Sequence, residues 1–215
     1  MKKGSKANPF LIALAKFLGW FGAVLLFRPR LYYMDPKLQK RHIKGAAIVM
    51  SNHTAFLDFI LYQLIFLERN IRFLVAEILY TKSPVMTWAL NFMGCIRVNR
   101  EGVDLGFVEQ ALAELDRGKV VGVFPQGRLP VDGCFFPYKP GIVFIALHSD
   151  APIIPIYTDG QYGFGKHAHV MIGSPIHIRK LCSTENPSSE EIEKLTAYLQ
   201  QVTLELKAEL EKRMA

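Results

Sequence analysis

The sequence contains little cysteine, and it lacks internal repeats and low-complexity segments. Its three cysteines, Cys95, Cys134 and Cys182, are widely separated, which argues against both a disulfide framework and a cysteine-based zinc site. The histidines are not paired at the spacing of metal ligands, apart from His167 and His169 in a segment that we interpret as an exposed loop. We therefore expect no metal, and an odd number of scattered thiols favours a reducing compartment.

Acidic residues are fewer than basic ones, with 19 Asp and Glu against 26 Lys and Arg, which gives a formal net charge of +7. A basic chain that is 50% hydrophobic indicates an anionic partner: nucleic acid, acidic lipid or a phosphorylated substrate. The basic residues do not interleave with aromatic residues along one face, which argues against nucleic acid. A chain of 215 residues is long enough to bury one core, so we expect a single domain.

Only one apolar run, Pro9 to Phe27, is long enough to reach across a bilayer. Lysines precede it, Arg28 and Arg30 follow it, and no small-residue cleavage site separates it from these arginines, so we predict that it is retained. Lys16 lies near its middle on a face of small residues, opposite a bulky apolar face. Residues 1–30 are therefore predicted to form a membrane-anchoring helix, which the pattern favours as a helix lying in the interface. The alternatives are a single span of the membrane and a buried helix of a soluble protein.

From Leu31 onward, short apolar runs alternate with longer amphipathic ones, which predicts an α/β fold with a mostly parallel central sheet flanked by helices over residues 31–215. The predicted strands are Ala46–Met50, Ile71–Ala76, Gly94–Val98, Val120–Phe124, Ile153–Tyr157 and His169–Ile172. The predicted helices are Phe56–Leu67, Pro84–Phe92, Val103–Arg117, Pro140–His148 and a last one that begins near Ser188, where Ser188 and Glu191 have the spacing of a capping box.

His53 and Asp58 follow the first of the predicted strands and carry the clearest chemical signal in the sequence. If both residues lay on one ideal helix, their five-residue spacing would point the side chains about 140° apart, and they could not form a hydrogen bond. The spacing works only if His53 precedes the helix and Asp58 lies in its first turns. The aspartate then fixes the tautomer of an imidazole whose other nitrogen is exposed, as a general base requires.

Four further patches lie where predicted strands end. Arg97 and Arg100 lie close together at the end of a short predicted strand. They either bind a phosphate between them or form a solvated pair of surface arginines. After the next strand, Gly127 and Arg128 lie in a turn that suits an anion or a developing oxyanion. The third patch is Lys139, a basic residue at a predicted helix start, which suits a phosphate. The fourth is an apolar strand bracketed by prolines, which either lines an acyl channel or is core: Pro152, Ile153, Ile154 and Pro155.

The order of these patches resembles the glycerophospholipid acyltransferase family, the PlsC-like enzymes that include 1-acylglycerol-3-phosphate acyltransferases. The resemblance covers roughly residues 45–175. The matching positions are Asn52, His53 and Asp58 in the His-x4-Asp block, Gly94, Ile96, Val98 and Arg100 in the second, Phe124, Pro125 and Gly127 in the third, Tyr138, Lys139 and Gly141 in the fourth, and Pro152 to Pro155 in the last.

The third block departs from the family pattern. The family has Phe-Pro-Glu-Gly-Thr-Arg-Ser, whereas Gln126, Arg128, Leu129 and Pro130 stand here at the positions of the Glu, Thr, Arg and Ser. The departure leaves open which acceptor is used. The resemblance implies that Asn52, Arg97, Arg100, Gln126, Gly127, Arg128 and Lys139 bind substrate.

The resemblance implies an O-acyltransferase that needs no cofactor and transfers an acyl group from acyl-CoA or acyl carrier protein to a lysophospholipid, most simply 1-acylglycerol-3-phosphate. His53 would be the base and Asp58 its orienting partner; Ser51 as a nucleophile is a minor alternative. The expected location is a membrane surface, on the cytoplasmic face of the inner or plasma membrane. A hydrolase, a non-catalytic lipid-binding relative and an acyltransferase for another lipid acceptor remain as rivals.

Overall fold

One seven-stranded sheet forms the centre of the fold in the computed structural model, which describes residues 10, 14, 19, 22, 24, 26–99, 106–130, 136–163, 165–184 and 186–215. In chain order the strands are β1 (Arg30–Tyr33), β2 (Ala47–Ser51), β3 (Ile71–Ala76), β4 (Ile96–Val98), β5 (Val120–Val123), β6 (Ile153–Thr158) and β7 (His169–Ile172). Their order across the sheet is β1-β7-β6-β2-β5-β3-β4. All neighbouring pairs are parallel except β6 and β7, so the predicted mostly parallel sheet is confirmed.

Strand β2 lies in the middle of the sheet, between β6 and β5, and both faces of the sheet are covered there. Every one of its residues is buried. Ile48 and Met50 face one hydrophobic cluster, whereas Ala47 and Val49 face the other. Side chains alternate between the faces of a strand, so a continuous apolar run is what a strand buried on both faces requires.

Helices cover both faces of the sheet and connect its parallel strands. They are α1 (Asp58–Ile65), α2 (Leu79–Lys82), α3 (Pro84–Met93), α4 (Gly106–Asp116), α5 (Gly141–Leu147) and α6 (Ser189–Met214), with a 3₁₀ turn at Ile178–Leu181. Gly94 follows α3 with φ of 71°, a left-handed conformation that suits glycine. The strand predicted as Gly94–Val98 therefore begins at Ile96, because Gly94 ends the helix.

The long helix α6 begins at the predicted cap. Ser188 Oγ accepts a hydrogen bond from the Glu191 backbone N–H at 3.2 Å. The Glu191 carboxylate accepts from the Ser183 backbone N–H instead of returning to Ser188, so only half of the capping box forms. Leu195 and Leu199 join one core cluster, and Leu206 and Leu210 pack on Met171 of β7, so the apolar side of this helix faces the sheet.

Most of the predicted membrane-anchoring segment, residues 1–30, lies outside the described residues. The residues described between positions 10 and 26 are helical and exposed, and Phe27, also helical, is buried. Among the described residues, no helix combines the length and the apolar character needed to cross a bilayer. The structure thus does not support the predicted anchor, which stays a prediction.

Candidate active site

His53 and Asp58 lie together at the carboxyl end of β2. The strand ends at Ser51, His53 lies in the following turn, and Asp58 is the first residue of α1. The Nδ1 atom of His53 is 2.7 Å from Oδ2 of Asp58, whose side chain is fully buried, whereas the His53 side chain is 17% exposed. This is the arrangement that the five-residue spacing predicted. The catalytic role of the pair stays a prediction.

The Asp58 carboxylate receives hydrogen bonds on both oxygens. Besides His53, Oδ2 is bonded by the backbone N–H groups of Thr54 at 2.6 Å and Ala55 at 3.0 Å. Oδ1 accepts from the Thr54 hydroxyl at 2.8 Å and from the Tyr162 hydroxyl at 2.5 Å. A buried carboxylate is costly unless such donors surround it, so these bonds stabilise its charge and fix its position beside the imidazole.

A stack of aromatic rings holds the imidazole from one side. The His53 ring is stacked on Phe124, with 4.3 Å between ring centroids, and Phe124 is stacked on Phe73 at 5.2 Å. Phe73 can lie there because β5 has Gly122 beneath it: a Cβ at that position would be 2.4 Å from the Phe73 ring. Among the described residues, Nε2 of His53 has no hydrogen-bond partner. The ring is therefore held by the hydrogen bond at Nδ1 and by stacking on Phe124.

Tyr162 is a site residue that the sequence analysis missed. It lies in the connection between β6 and β7, and its ring packs edge-on against Phe27 at 5.0 Å. Burial, and then the nearby Asp58 carboxylate, raise the pKa of Tyr162 well above its usual value. The phenol therefore stays protonated and donates to Asp58. No local sequence pattern points to Tyr162, because it is 104 residues away from Asp58 in the sequence and only the tertiary structure brings the two together.

Two predicted substrate-binding residues hold backbone instead. The Asn52 side chain is buried and forms two 2.9 Å hydrogen bonds with the backbone of Thr158, one to the carbonyl and one from the N–H. Gln126, also buried, accepts a hydrogen bond from the His53 backbone N–H at 2.6 Å through Oε1. In this structure both residues fix the turn that carries His53, so their contacts are those of positioning residues.

The remaining predicted binding residues divide into two groups. Gly127 and Lys139 line a cavity beside His53, and Gly127 is in a left-handed turn at φ of 71°, a conformation that favours glycine. The Gly127 N–H donates to the Phe124 carbonyl, so it is not free to bind an oxyanion. By contrast, the Arg128 guanidinium lies over the Phe136 ring and that of Arg97 over the Tyr80 ring. Arg100 lies outside the described residues.

The cavity beside His53 has a volume of about 340 Å³ and a mostly apolar lining. Side chains from α1, β3, β4, α5 and the α2–α3 segment form its walls, among them Phe59, Val75, Leu79, Leu90, Val98 and Phe144. The predicted channel residues Pro152 to Pro155 do not line it. Ile153, Ile154 and Pro155 are buried in β6, and Pro152 and Ile154 contact a separate basic cavity at the opposite edge of the sheet. Ile153, Ile154 and Pro155 are core because β6 is covered on both faces, whereas Pro152 precedes the strand and is half-buried.

The alternative in which Ser51 is a nucleophile finds no support in the geometry. Ser51 is buried, and its hydroxyl is hydrogen-bonded to the Tyr62 hydroxyl and to Asn52, so it does not face the cavity as a nucleophile would. Within the described part of the chain, no cluster of three or more His, Cys, Asp or Glu side chains could hold a metal ion. His169 is instead bonded to Asp159, with 2.6 Å between Nδ1 and Oδ2.

Fold and site together define an α/β protein that holds a His–Asp pair at the carboxyl end of a central strand, beside an apolar cavity. A family model described as Acyltransferase matches residues 33–159. The chain therefore belongs to the Acyltransferase family, which confirms the PlsC-like family that the order of the motifs predicted.

Named relatives agree with this family. The chloroplastic 1-acyl-sn-glycerol-3-phosphate acyltransferase BAT2 of Brassica napus is 29% identical over 115 residues, which are 53% of this chain and 33% of that protein. A 1-acyl-sn-glycerol-3-phosphate acyltransferase of Borreliella burgdorferi is 26% identical over 162 residues, 73% of this chain and 64% of that protein. The chain thus spans less than two thirds of the length of either relative.

The fold is similar to a solved structure. The crystal structure of the 1-acyl-sn-glycerophosphate acyltransferase PlsC from Thermotoga maritima superposes with a TM-score of 0.64 at 19% identity, over 96% of this chain and 79% of the other. At that identity the likeness concerns the fold alone.

Proposed function

We propose that this protein transfers a fatty acyl group from a thioester donor, acyl-CoA or acyl carrier protein, to a hydroxyl group of a lysophospholipid. The observation that carries the proposal is the His53–Asp58 pair beside an apolar cavity. A general base and a long-chain binding site are the two parts that acyl transfer to a lipid hydroxyl needs. The names of the relatives make 1-acylglycerol-3-phosphate the first acceptor to test.

The proposed chemistry is direct transfer without an acyl-enzyme. Nε2 of His53 removes the proton of the acceptor hydroxyl, while Nδ1–H donates to Asp58, which stabilises the imidazolium. The acceptor oxygen attacks the thioester carbonyl, a C–O bond forms and the C–S bond breaks. The imidazolium then returns the proton to the thiolate leaving group. No step needs a cofactor or a metal.

The cavity is the proposed site for the acyl chain of one substrate. Its lining is mostly apolar, and His53, Gly127 and Lys139 supply polar groups. Lys139 is exposed, which suits it to an acidic group such as a phosphate of the donor or the acceptor. We assign the channel to this cavity in place of Pro152 to Pro155. The expected setting is a membrane surface on the cytoplasmic side, where a lipid acceptor resides.

The test is a turnover assay with the purified full chain in detergent. With labelled acyl-CoA and 1-acylglycerol-3-phosphate, we expect a diacyl product that mass spectrometry identifies. Release of free fatty acid without diacyl product would instead indicate a hydrolase, and no turnover with any donor or acceptor would indicate a lipid-binding role. An acceptor panel matters because Gln126, Arg128 and Leu129 depart from the family motif. Turnover confined to another acceptor would favour the second candidate, an acyltransferase for a different lipid.

Tyr162→Phe is expected to lower kcat about 3- to 10-fold while leaving the KM for the acyl donor nearly unchanged. The substitution keeps the ring on Phe27 but removes the donor to Asp58, a bond to a charged group worth about 1.5–3 kcal/mol. A carboxylate that has lost this donor holds a protonated imidazole more strongly. The acid limb of the pH profile of kcat/KM should therefore move to higher pH.

Tyr157→Phe provides the matched control for that measurement. Tyr157 lies in β6, close to the same loop, but it packs against Met171 and Leu206 and makes no hydrogen bond to Asp58. Its pH profile should match that of the unmodified protein. An unshifted profile in Tyr162→Phe as well would show that Tyr162 acts only in packing.

A further inference from the structure

The outer side of the α2–α3 segment exposes large apolar side chains. Ile78 is 64% exposed, Val85 75% and Trp88 65%, and the Trp88 ring is stacked on Phe92 with 5.4 Å between centroids. We call Ile78, Val85, Trp88 and Phe92 the outer patch. Helix α3 contains no charged residue between Pro84 and Met93. Clustered exposed apolar side chains on a charge-free helix mark an interaction surface.

The inner side of the same segment lines the cavity of the proposed active site. Leu79 and Leu90 contribute to that lining, and Leu90 is only 2% exposed. The segment is therefore a thin wall with apolar side chains on both sides. Whatever binds the outer patch is therefore separated from the cavity only by this wall. Phe56 is both part of the cavity lining and 39% exposed, so the lining reaches the surface there.

Two cationic side chains belong to α2 or lie against it, in the segment that carries the outer patch. Lys82 is exposed at the end of α2, and the exposed Arg97 lies with its guanidinium 4.0 Å from the centroid of the Tyr80 ring. An apolar patch that contains a tryptophan and has cations beside it is the pattern of segments that lie in the headgroup region of an anionic bilayer. The formal net charge of +7 adds attraction to such a surface.

We propose that the outer patch docks on an anionic lipid bilayer, so that Trp88 and Val85 enter the headgroup region and the cavity faces the lipid. This inference rests on the proposed function, because that function requires a lipid substrate to reach the cavity. A bilayer fits the patch better than a protein does. A stable protein interface uses about 20–30 residues on each side, whereas the outer patch consists of four side chains flanked by isolated cations.

The test uses Trp88 as a reporter of lipid contact. The sequence has two tryptophans, so Trp20→Phe in the full chain leaves Trp88 alone. Vesicles of phosphatidylcholine and phosphatidylglycerol at 3:1 should shift Trp88 emission to shorter wavelength, and brominated acyl chains in the same vesicles should quench it. Unchanged Trp88 emission in protein that sediments with the vesicles would overturn the proposal. A shift that depends on protein concentration and occurs without vesicles would overturn it in favour of a second copy of the chain.

A double substitution separates docking from chemistry. The double variant carries Ile78→Ser and Val85→Ser, and neither residue lines the cavity. We expect it to bind vesicles at least about tenfold more weakly. The control is Leu181→Ser, at an exposed apolar residue of the 3₁₀ turn, which should bind vesicles as the parent does. Turnover of a short-chain donor and a soluble acceptor without vesicles should be unchanged in the double variant. Equal vesicle binding by the double variant and the parent would overturn the proposal. Vesicle binding can be measured even if no turnover is found, so failure of the proposed function can be distinguished from failure of the docking proposal.

Discussion

His53→Ala is expected to lower kcat/KM for acyl transfer by at least about 10²-fold, the usual contribution of a positioned general base. The imidazole is the group that links the cavity to the buried Asp58, because its Nδ1 contacts the carboxylate and the ring itself lines the cavity. Removing it leaves the acceptor hydroxyl without a group to take its proton. Steady-state kinetics with labelled acyl-CoA measure the loss.

A second histidine gives the control for this experiment. His42 is exposed, contacts Glu68 and lies by the basic cavity at the opposite edge of the sheet, so His42→Ala should keep full activity. Thermal unfolding of both variants checks that each is folded. Activity of His53→Ala close to that of the unmodified protein would rule out His53 as the base, and transfer would then need another mechanism.

The strands buried on both faces were the easiest part of the fold to predict. Strands β2 and β5 lie within one residue of their predicted bounds, because a continuous apolar run between polar turns is itself the signal of such a strand. Ile71–Ala76 and His169–Ile172 also have the predicted bounds, although the first contains an arginine and the second begins with a histidine. Strand β1, Arg30–Tyr33, was missed. It begins with an arginine, has only four residues and pairs only with β7, so its formation depends on a partner about 140 residues away rather than on a local pattern.

The candidate site could be predicted where its geometry is local. His53 and Asp58 lie at one junction between a strand and a helix, so their spacing in the sequence was enough to predict the contact between their side chains. Arg97 was predicted to bind substrate because it leaves a strand, yet its neighbour Val98 lines the cavity while Arg97 packs on Tyr80. Adjacent side chains of a strand face opposite sides, and no local signal says which side holds the site.

Residues that support the site from a distance were not predictable. Gln126 was expected to bind substrate, but it holds the His53 backbone, a contact between positions 73 residues apart. Gly122 carries no side chain, so nothing in its chemistry pointed to the site. Its role is to make room for Phe73, which supports Phe124 and through it His53. Such packing depends on which strands are neighbours, here β3 and β5.

Asp58→Asn is expected to lower kcat/KM by about 10²-fold or more and also to destabilise the protein by about 1–3 kcal/mol. The carboxylate accepts bonds from His53, the Thr54 backbone and hydroxyl, the Ala55 N–H and the Tyr162 hydroxyl. Asparagine has one oxygen instead of two, so its NH₂ group must face the Thr54 and Tyr162 hydroxyls, which then have to accept instead of donate. The remaining bonds also lose the strength that the negative charge gives them. The amide also cannot stabilise an imidazolium as a charged group does. Urea unfolding and steady-state kinetics measure the two losses.

Leu210→Ala separates the two effects of Asp58→Asn. Leu210 is 1% exposed in the cluster between α6 and β7, away from the site, and truncating a buried leucine costs about 2–5 kcal/mol. This variant should lose as much stability or more, yet keep its kcat/KM at a temperature where it is folded. If Leu210→Ala lost activity in proportion to stability, the defect of Asp58→Asn could be assigned to folding. If Asp58→Asn kept near-full activity, the charge of Asp58 would have no part in the chemistry, because its geometry alone is nearly preserved by asparagine.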